Sequence, residues 1–189
     1  MNLPNKLTVA RVIAVPFYVA FMLISGVPYN YLWALILFGA ASLTDMIDGK
    51  IARKNNLITD LGKFLDPLAD KVLVSAALIC MVELGWTASY LVIIIICREF
   101  IVSALRLAAA SSNDRTVIAA GIWGKLKTAF TMIAICVITV LHILLDNFGL
   151  LNEAFPVGII SDILMWICTI LTIISGVVYI VSYRHLLKS

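Results

Sequence analysis

Five of the chain's 11 acidic residues crowd into one stretch: Asp45, Asp48, Asp60, Asp66 and Asp70. Asp45 and Asp48 are three apart, and Asp66 and Asp70 are four apart. On a helix either spacing places both carboxylates on one face. Four carboxylates brought together repel one another unless cations sit among them. A set of oxygen donors without His or Cys suits Mg²⁺, Mn²⁺ or Ca²⁺. Two such hard cations bridged by carboxylates form a clamp for a pyrophosphate and its leaving group. Gly49 and Ala52 follow on the first segment and Gly62 stands just before the second; small residues let a ligand or a backbone approach closely. Arg53 adds a planar donor fork for a phosphate or a base.

The elements that must position these groups are membrane spans. Of 189 residues, 62% are hydrophobic and 13% charged, against roughly 45–50% and 25% in soluble domains. That composition excludes a water-soluble globule, a disordered chain and a disulfide scaffold, and predicts an all-α integral membrane protein. Apolar runs fall at about 7–27, 31–52, 64–86, 88–110, 122–145 and 157–182, which predicts a six-helix bundle forming one domain over residues 1–189. Turn residues break the runs at Ser25-Gly26-Val27-Pro28, Leu84-Gly85, Ser111-Ser112-Asn113-Asp114, Asp146-Asn147-Phe148-Gly149 and Pro156. No small-residue cleavage site closes the first run, which reads as a retained span rather than a signal peptide. The two runs that carry the aspartates are consecutive and joined by a short connection, so they are expected to be antiparallel neighbours.

Lys and Arg alternate between the two sides. The connections 26–30, 84–88 and 146–156 contain none, whereas the remaining connections and both termini carry Lys6, Arg11, Lys50, Arg53, Lys54, Lys63, Arg106, Arg115, Lys125, Lys127, Arg184 and Lys188. The positive-inside rule then predicts both termini and the acidic stretch on the cytoplasmic side of the cell membrane. The net charge of +3 comes without a basic stripe interleaved with aromatics, which gives no case for nucleic-acid binding. Cys80, Cys97, Cys136 and Cys168 lie far apart inside apolar runs and read as thiols at lipid or helix contacts. His142 and His185 read as structural. Trp33, Trp86, Trp123 and Trp166 include interfacial anchors.

The stretch D-M-I-D-G-K-I-A-R, eight further residues, then G-K-F-L-D-P-L-A-D resembles the signature of the CDP-alcohol phosphatidyltransferase family, D-x2-D-G-x2-A-R-x8-G-x3-D-x3-D, at every fixed position. Without that spacing the aspartates would read as a solvated loop between two spans. Members of the family transfer a phosphatidyl-type group from a CDP-linked donor to an alcohol and release CMP. The resemblance implies that Asp45, Asp48, Asp66 and Asp70 hold two divalent cations, Mg²⁺ or Mn²⁺, and that Asp70 is also the general base on the acceptor hydroxyl. It implies that Gly49, Arg53 and Thr59 contact the donor, CDP-diacylglycerol. Asn5, Thr8 and Arg11 also resemble a donor-binding stretch, against the plainer reading of helix capping plus an inside-facing charge. It further implies a homodimer.

Basic residues inside a span are costly and often functional. Arg98 lies deep in the fourth run, with Arg106 two turns on and Lys125 and Lys127 opening the fifth. Several cations near one cavity point to an anionic acceptor such as a phosphorylated alcohol. Glu99, beside Arg98, reads as a partner for a neighbouring cation. The runs R-E-F-x2-S-x-L-R and G-K-x-K-T resemble the branch of the family whose acceptor is glycerol 3-phosphate and whose product is phosphatidylglycerophosphate. The resemblance thus implies that Arg98, Arg106, Lys125 and Lys127 bind the acceptor phosphate. The general signature does not separate this acceptor from serine, inositol phosphate or phosphatidylglycerol. A divalent-cation transporter would instead need acids near the middle of the bilayer and a path to both faces. The connections assigned to the outside hold only Glu83, Asp146 and Glu153.

Overall fold

The computed structural model describes residues 3–54, 60–111, 121–151 and 155–182, with side chains over 8–44, 71–105, 121–151 and 155–182. All regular structure among these residues is helical. In chain order, α1 is Leu3–Leu23, α2 Asn30–Lys54, α3 Asp60–Glu83, α4 Ser89–Ser111, α5 Ile122–His142 and α6 Val157–Ser182. A π-helical turn, Ile143–Asn147, continues α5, with His142 Nδ1 and Asp146 Oδ2 3.0 Å apart across it.

Most helix ends coincide with the turn residues of the sequence. Gly85 and Gly149 adopt φ of 72° and 58°, the left-handed region that glycine enters without a Cβ penalty. Tyr29 enters it too, at φ 54°, and its ring lies 5.4 Å from that of Phe148. Pro156 stands immediately before α6. α1 and α3 depart most from the expected runs. α1 begins at Leu3 and stops at Leu23, just ahead of Ser25-Gly26-Val27-Pro28, a cluster of residues that favours turns over helix. α3 begins at Asp60, a residue type that favours helix starts. Gly62 therefore lies inside its first turn rather than ahead of it.

Packing groups into two compact units. The first comprises Met1–Leu84 with Cys136–Val157. In it α1 packs on both α2 and α3, and α2 also meets α3 and the π-helical turn. The buried stripe of α1 is Thr8, Arg11, Val15, Tyr18 and Met22, stepping by three and four residues as a single helical seam does. It closes on Ala34, Phe38 and Ala41 of α2 and Leu73, Ala77 and Met81 of α3, all buried. Tyr18 and Phe38 meet with ring centroids 5.9 Å apart. Alanine at this seam lets helix backbones approach closely.

The second unit comprises Gly85–Ile135 with Gly158–Ser189 and holds α4, most of α5 and α6. Its most regular feature is the face of α6: Ser161, Met165, Cys168, Thr172, Ser175 and Tyr179 are all buried, at alternating steps of four and three. The other faces of α6 are large and apolar, with Ile159, Ile163, Ile173 and Val181 exposed. An exterior of that kind is matched to lipid rather than water. Five hydroxyls of α5 and α6 are satisfied within their own helices. Thr128, Thr131, Thr169, Thr172 and Ser182 each donate to the carbonyl four residues back, at 2.7–3.0 Å.

Among the described residues two segments, Ile122–Asn147 and Val157–Ser182, are long and apolar enough to cross a membrane. α1 and α2 carry shorter apolar stretches, Thr8–Leu23 and Asn30–Thr44. Trp33, Trp123 and Trp166 face outward while Trp86 is buried. Among the thiols, Cys80 and Cys168 are buried and Cys97 is exposed, and all four are free.

Candidate active site

In the first unit the acidic signature spans the end of α2 and the start of α3. Asp45, Asp48, Gly49 and Arg53 lie on α2, and Asp66 and Asp70 on α3. Only residues 55–59 separate the two helices, and both pack against α1. The side chains of Asn5, Asp45, Asp48, Gly49, Arg53, Asp66 and Asp70 lie outside the described set, as does Thr59 altogether. The backbone bears out the local premise: each aspartate pair is carried on helix, at one-turn spacing, on two consecutive helices that meet. A donor set of carboxylates alone fits hard dications and offers nothing to soft ones. Among the described side chains no group of three or more His, Cys, Asp or Glu comes together elsewhere.

Thr8 and Arg11 extend the buried stripe of α1, and Arg11 is only 3% exposed. Thr8 lies well inside α1, which removes the plainer reading of a helix cap, since a cap precedes the first helical residue. A guanidinium on the face that α1 turns to α2 and α3 needs an anionic or hydrogen-bonding partner. Arg11 is thereby placed on the same three-helix group that carries the aspartates.

The second unit assembles a basic group from three helices. Arg98 and Glu99 come from α4, Lys127 from α5, and Ser175 and Tyr179 from α6. Arg98 Nη1 donates to Glu99 Oε1 at 3.0 Å, and Lys127 Nζ donates to that same oxygen. Arg98 Nη2 donates to Ser175 Oγ. The guanidinium carbon stands 5.7 Å from the centroid of the Tyr179 ring, within cation–π range. Lys127 is 3% exposed and Arg98 12%. Among these described side chains two cations share one carboxylate, a net positive charge that a bound anion would offset.

Of the four cations expected to hold an acceptor phosphate, the structure brings together Arg98 and Lys127. Lys125 is exposed, and the side chain of Arg106 lies outside the described residues. Lys125 and Lys127 are about 200° apart around the helix, since each residue turns it by about 100°. Lys127 shares its face with buried Thr131, Ala134 and Ile138.

Sequence reasoning missed Ser175, Gly176 and Tyr179. A signal existed: the four-three spacing of small and hydroxyl residues through an otherwise isoleucine-rich segment marks a face packed against something close.

Comparison with known proteins shows the family. A family model described as CDP-alcohol phosphatidyltransferase matches residues 1–174. The CDP-diacylglycerol–glycerol-3-phosphate 3-phosphatidyltransferase of Bacillus subtilis (strain 168) is 40% identical, over 100% of this chain and 98% of its own length. The enzyme of that name from Haemophilus influenzae is also 40% identical, over 95% of this chain and 91% of its own. The one from Escherichia coli (strain K12) is 39% identical over 71% of this chain and 74% of its own.

Proposed function

The chain belongs to the CDP-alcohol phosphatidyltransferase family, and from that premise we propose that it transfers the phosphatidyl group of CDP-diacylglycerol to the hydroxyl of glycerol 3-phosphate. The products are phosphatidylglycerophosphate and CMP, and the enzyme serves phospholipid biosynthesis in the membrane. The observation that carries the acceptor is similarity along the whole chain to an enzyme named for this reaction. The buried Arg98–Glu99–Lys127 group supports it, because its net positive charge suits a phosphorylated acceptor.

In this reading Asp45, Asp48, Asp66 and Asp70 hold two divalent cations, Mg²⁺ or Mn²⁺. When bound, these offset the negative charge of the pyrophosphate and of the departing CMP. The chain's own residues do the rest. Arg11, Arg53 and the small residue Gly49 hold the nucleotide end of the donor, with Asn5, Thr8 and Thr59. Asp70 accepts the proton of the acceptor hydroxyl. The acceptor oxygen forms a bond to the phosphorus of the phosphatidyl group, the bond from that phosphorus to the bridging oxygen breaks, and CMP leaves. Arg98 and Lys127, with Arg106, bind the acceptor's phosphate as charge-assisted donors, while exposed Lys125 adds only screened, longer-range attraction.

The test is an assay of the detergent-solubilised protein with CDP-diacylglycerol and a panel of acceptors, scoring CMP release. Glycerol 3-phosphate is expected to be used and free glycerol used poorly. Preference for serine, inositol phosphate or phosphatidylglycerol would overturn the acceptor while leaving the family chemistry intact.

The proposal also includes six spans, cytoplasmic termini and active site, a place in the cell membrane, and a homodimer. Its topology has its own measurement. In a background with the four native cysteines replaced, Lys54→Cys is expected to react with a membrane-impermeant thiol reagent only after the cytoplasmic side is opened. Labelling in sealed cells would reverse the orientation and turn the aspartates away from the cytosol.

A further inference from the structure

Arg98 is held in place by α6, a helix that carries none of the residues assigned above to donor, metal or acceptor. A guanidinium has five N–H donors in one plane. One goes to Glu99 Oε1 and one to Ser175 Oγ, while the Tyr179 ring stands 5.7 Å from its carbon. Two in-plane bonds fix the rotation of the fork, and the ring occupies one face. Three N–H donors remain, one on each nitrogen, among them the buried Nε with no hydrogen-bond partner among the described residues.

The stem of Arg98 is fitted as closely as its head. A Cβ added at Gly176 would come within 3.3 Å of Arg98 Cγ, so the stem lies against bare α6 backbone. Ser175 and Tyr179 are one turn apart and buried, and they flank this glycine. Across from them stands Gly124 of α5, where an added Cβ would make ordinary van der Waals contact with Ser175 Oγ and the Tyr179 ring, each at 3.9 Å. An unconstrained arginine has much rotamer freedom to lose on gripping a phosphate, and a preset fork loses less.

We propose that Ser175, Gly176 and Tyr179 are positioning residues that aim Arg98 at the acceptor's phosphate, so that α6 sets how tightly an anionic acceptor is held. This rests on the reading of Arg98 as an acceptor contact. It assigns α6 a part in acceptor selection although α6 does not itself touch the acceptor.

The experiment uses the full-length protein in detergent, with CDP-diacylglycerol and glycerol 3-phosphate each varied in turn. Tyr179→Leu is expected to raise the acceptor KM about tenfold, the scale of a desolvated cation–π contact, and the milder Gly176→Ala, whose added Cβ displaces the Arg98 stem, to raise it by a smaller factor, about threefold. The donor KM should stay within about twofold, on the additivity expected of separate sites. Tyr179→Phe, which keeps the ring, should restore acceptor binding. In an Arg98→Ala background, Tyr179→Leu should add nothing. An equal effect of Tyr179→Leu with and without Arg98, or a donor KM that moves in step, would reduce α6 to packing and overturn the proposal. Should Tyr179→Leu fail to fold, Gly176→Ala carries the same comparison, and an unchanged acceptor KM there overturns it equally. If Arg98→Ala alone leaves the acceptor KM unchanged, the acceptor reading itself falls, and this inference with it.

Discussion

Asp66→Asn is expected to lower turnover about a thousandfold or more, because a cation ligand contributes several kcal/mol to stabilising the developing charge and each decade of rate is about 1.4 kcal/mol. Asparagine keeps the shape of the side chain and one oxygen but loses the negative charge, so the change reads the electrostatics of the four-carboxylate set rather than its packing. Asp66 lies on α3 one turn before Asp70, so the set would lose charge next to the residue assigned as base. The measurement is CMP release from wild type and variant, after a chelator and again after adding Mg²⁺ or Mn²⁺. Wild type should fall silent and recover; the variant should stay silent. Asp146→Asn is the control. That residue lies in the π-helical turn and pairs with His142, and its loss should leave turnover within about twofold, as for exposed positions away from a site. A near-normal Asp66→Asn, or full wild-type turnover in metal-free buffer, would remove the two-cation assignment.

The second large effect separates two lysines two residues apart. Lys127 is buried and bonded to Glu99, whereas Lys125 is exposed. On the proposed role of Lys127, Lys127→Ala removes a charge-assisted contact to the acceptor's dianionic phosphate. It should cost roughly 2–4 kcal/mol, or about 30- to 1000-fold in rate at low glycerol 3-phosphate. Lys125→Ala should cost no more than a few fold, as exposed charges do. Breaking a buried charge pair can also unfold a protein, so Lys127→Met, which keeps the bulk of the stem, is measured beside it, with the donor KM as the internal check on the fold. Normal acceptor kinetics in Lys127→Met, or equal losses at both lysines, would dissolve the assignment.

How far these features could be read before the fold was known depends on the range of the interaction involved. The acidic signature is local: Asp45 with Asp48 and Asp66 with Asp70 are related by helical turns alone, and residue types plus spacing suffice. The same holds for α6, whose 157–182 bounds follow from Pro156 and the apolar run. The start of α3 was less legible, because Asp-Leu-Gly-Lys carries both a glycine and charges and reads as a connection, while the backbone continues as helix from Asp60. Lys127 could have been separated from Lys125 by the phase of α5, since Lys127, Thr131, Ala134 and Ile138 step by four, three and four. Ser175 and Arg98 are 77 residues apart. No local periodicity joins them, and only the packing of α4 against α6 in the second unit does.

The hydroxyls of α5 and α6 have a consequence for how the chain is made. A helix enters the bilayer as a single span before it finds its neighbours, and each polar group that enters unbonded weighs against insertion. Thr128, Thr131, Thr169, Thr172 and Ser182 are bonded within their own helices, so they meet lipid already satisfied and need no partner helix during biogenesis. Buried Thr169 and Thr172, which later lie in the packed face of α6, are therefore tolerated by the insertion machinery as nearly apolar. At these two positions close packing and independent insertion, which ask for opposite surfaces, are served by the same residues.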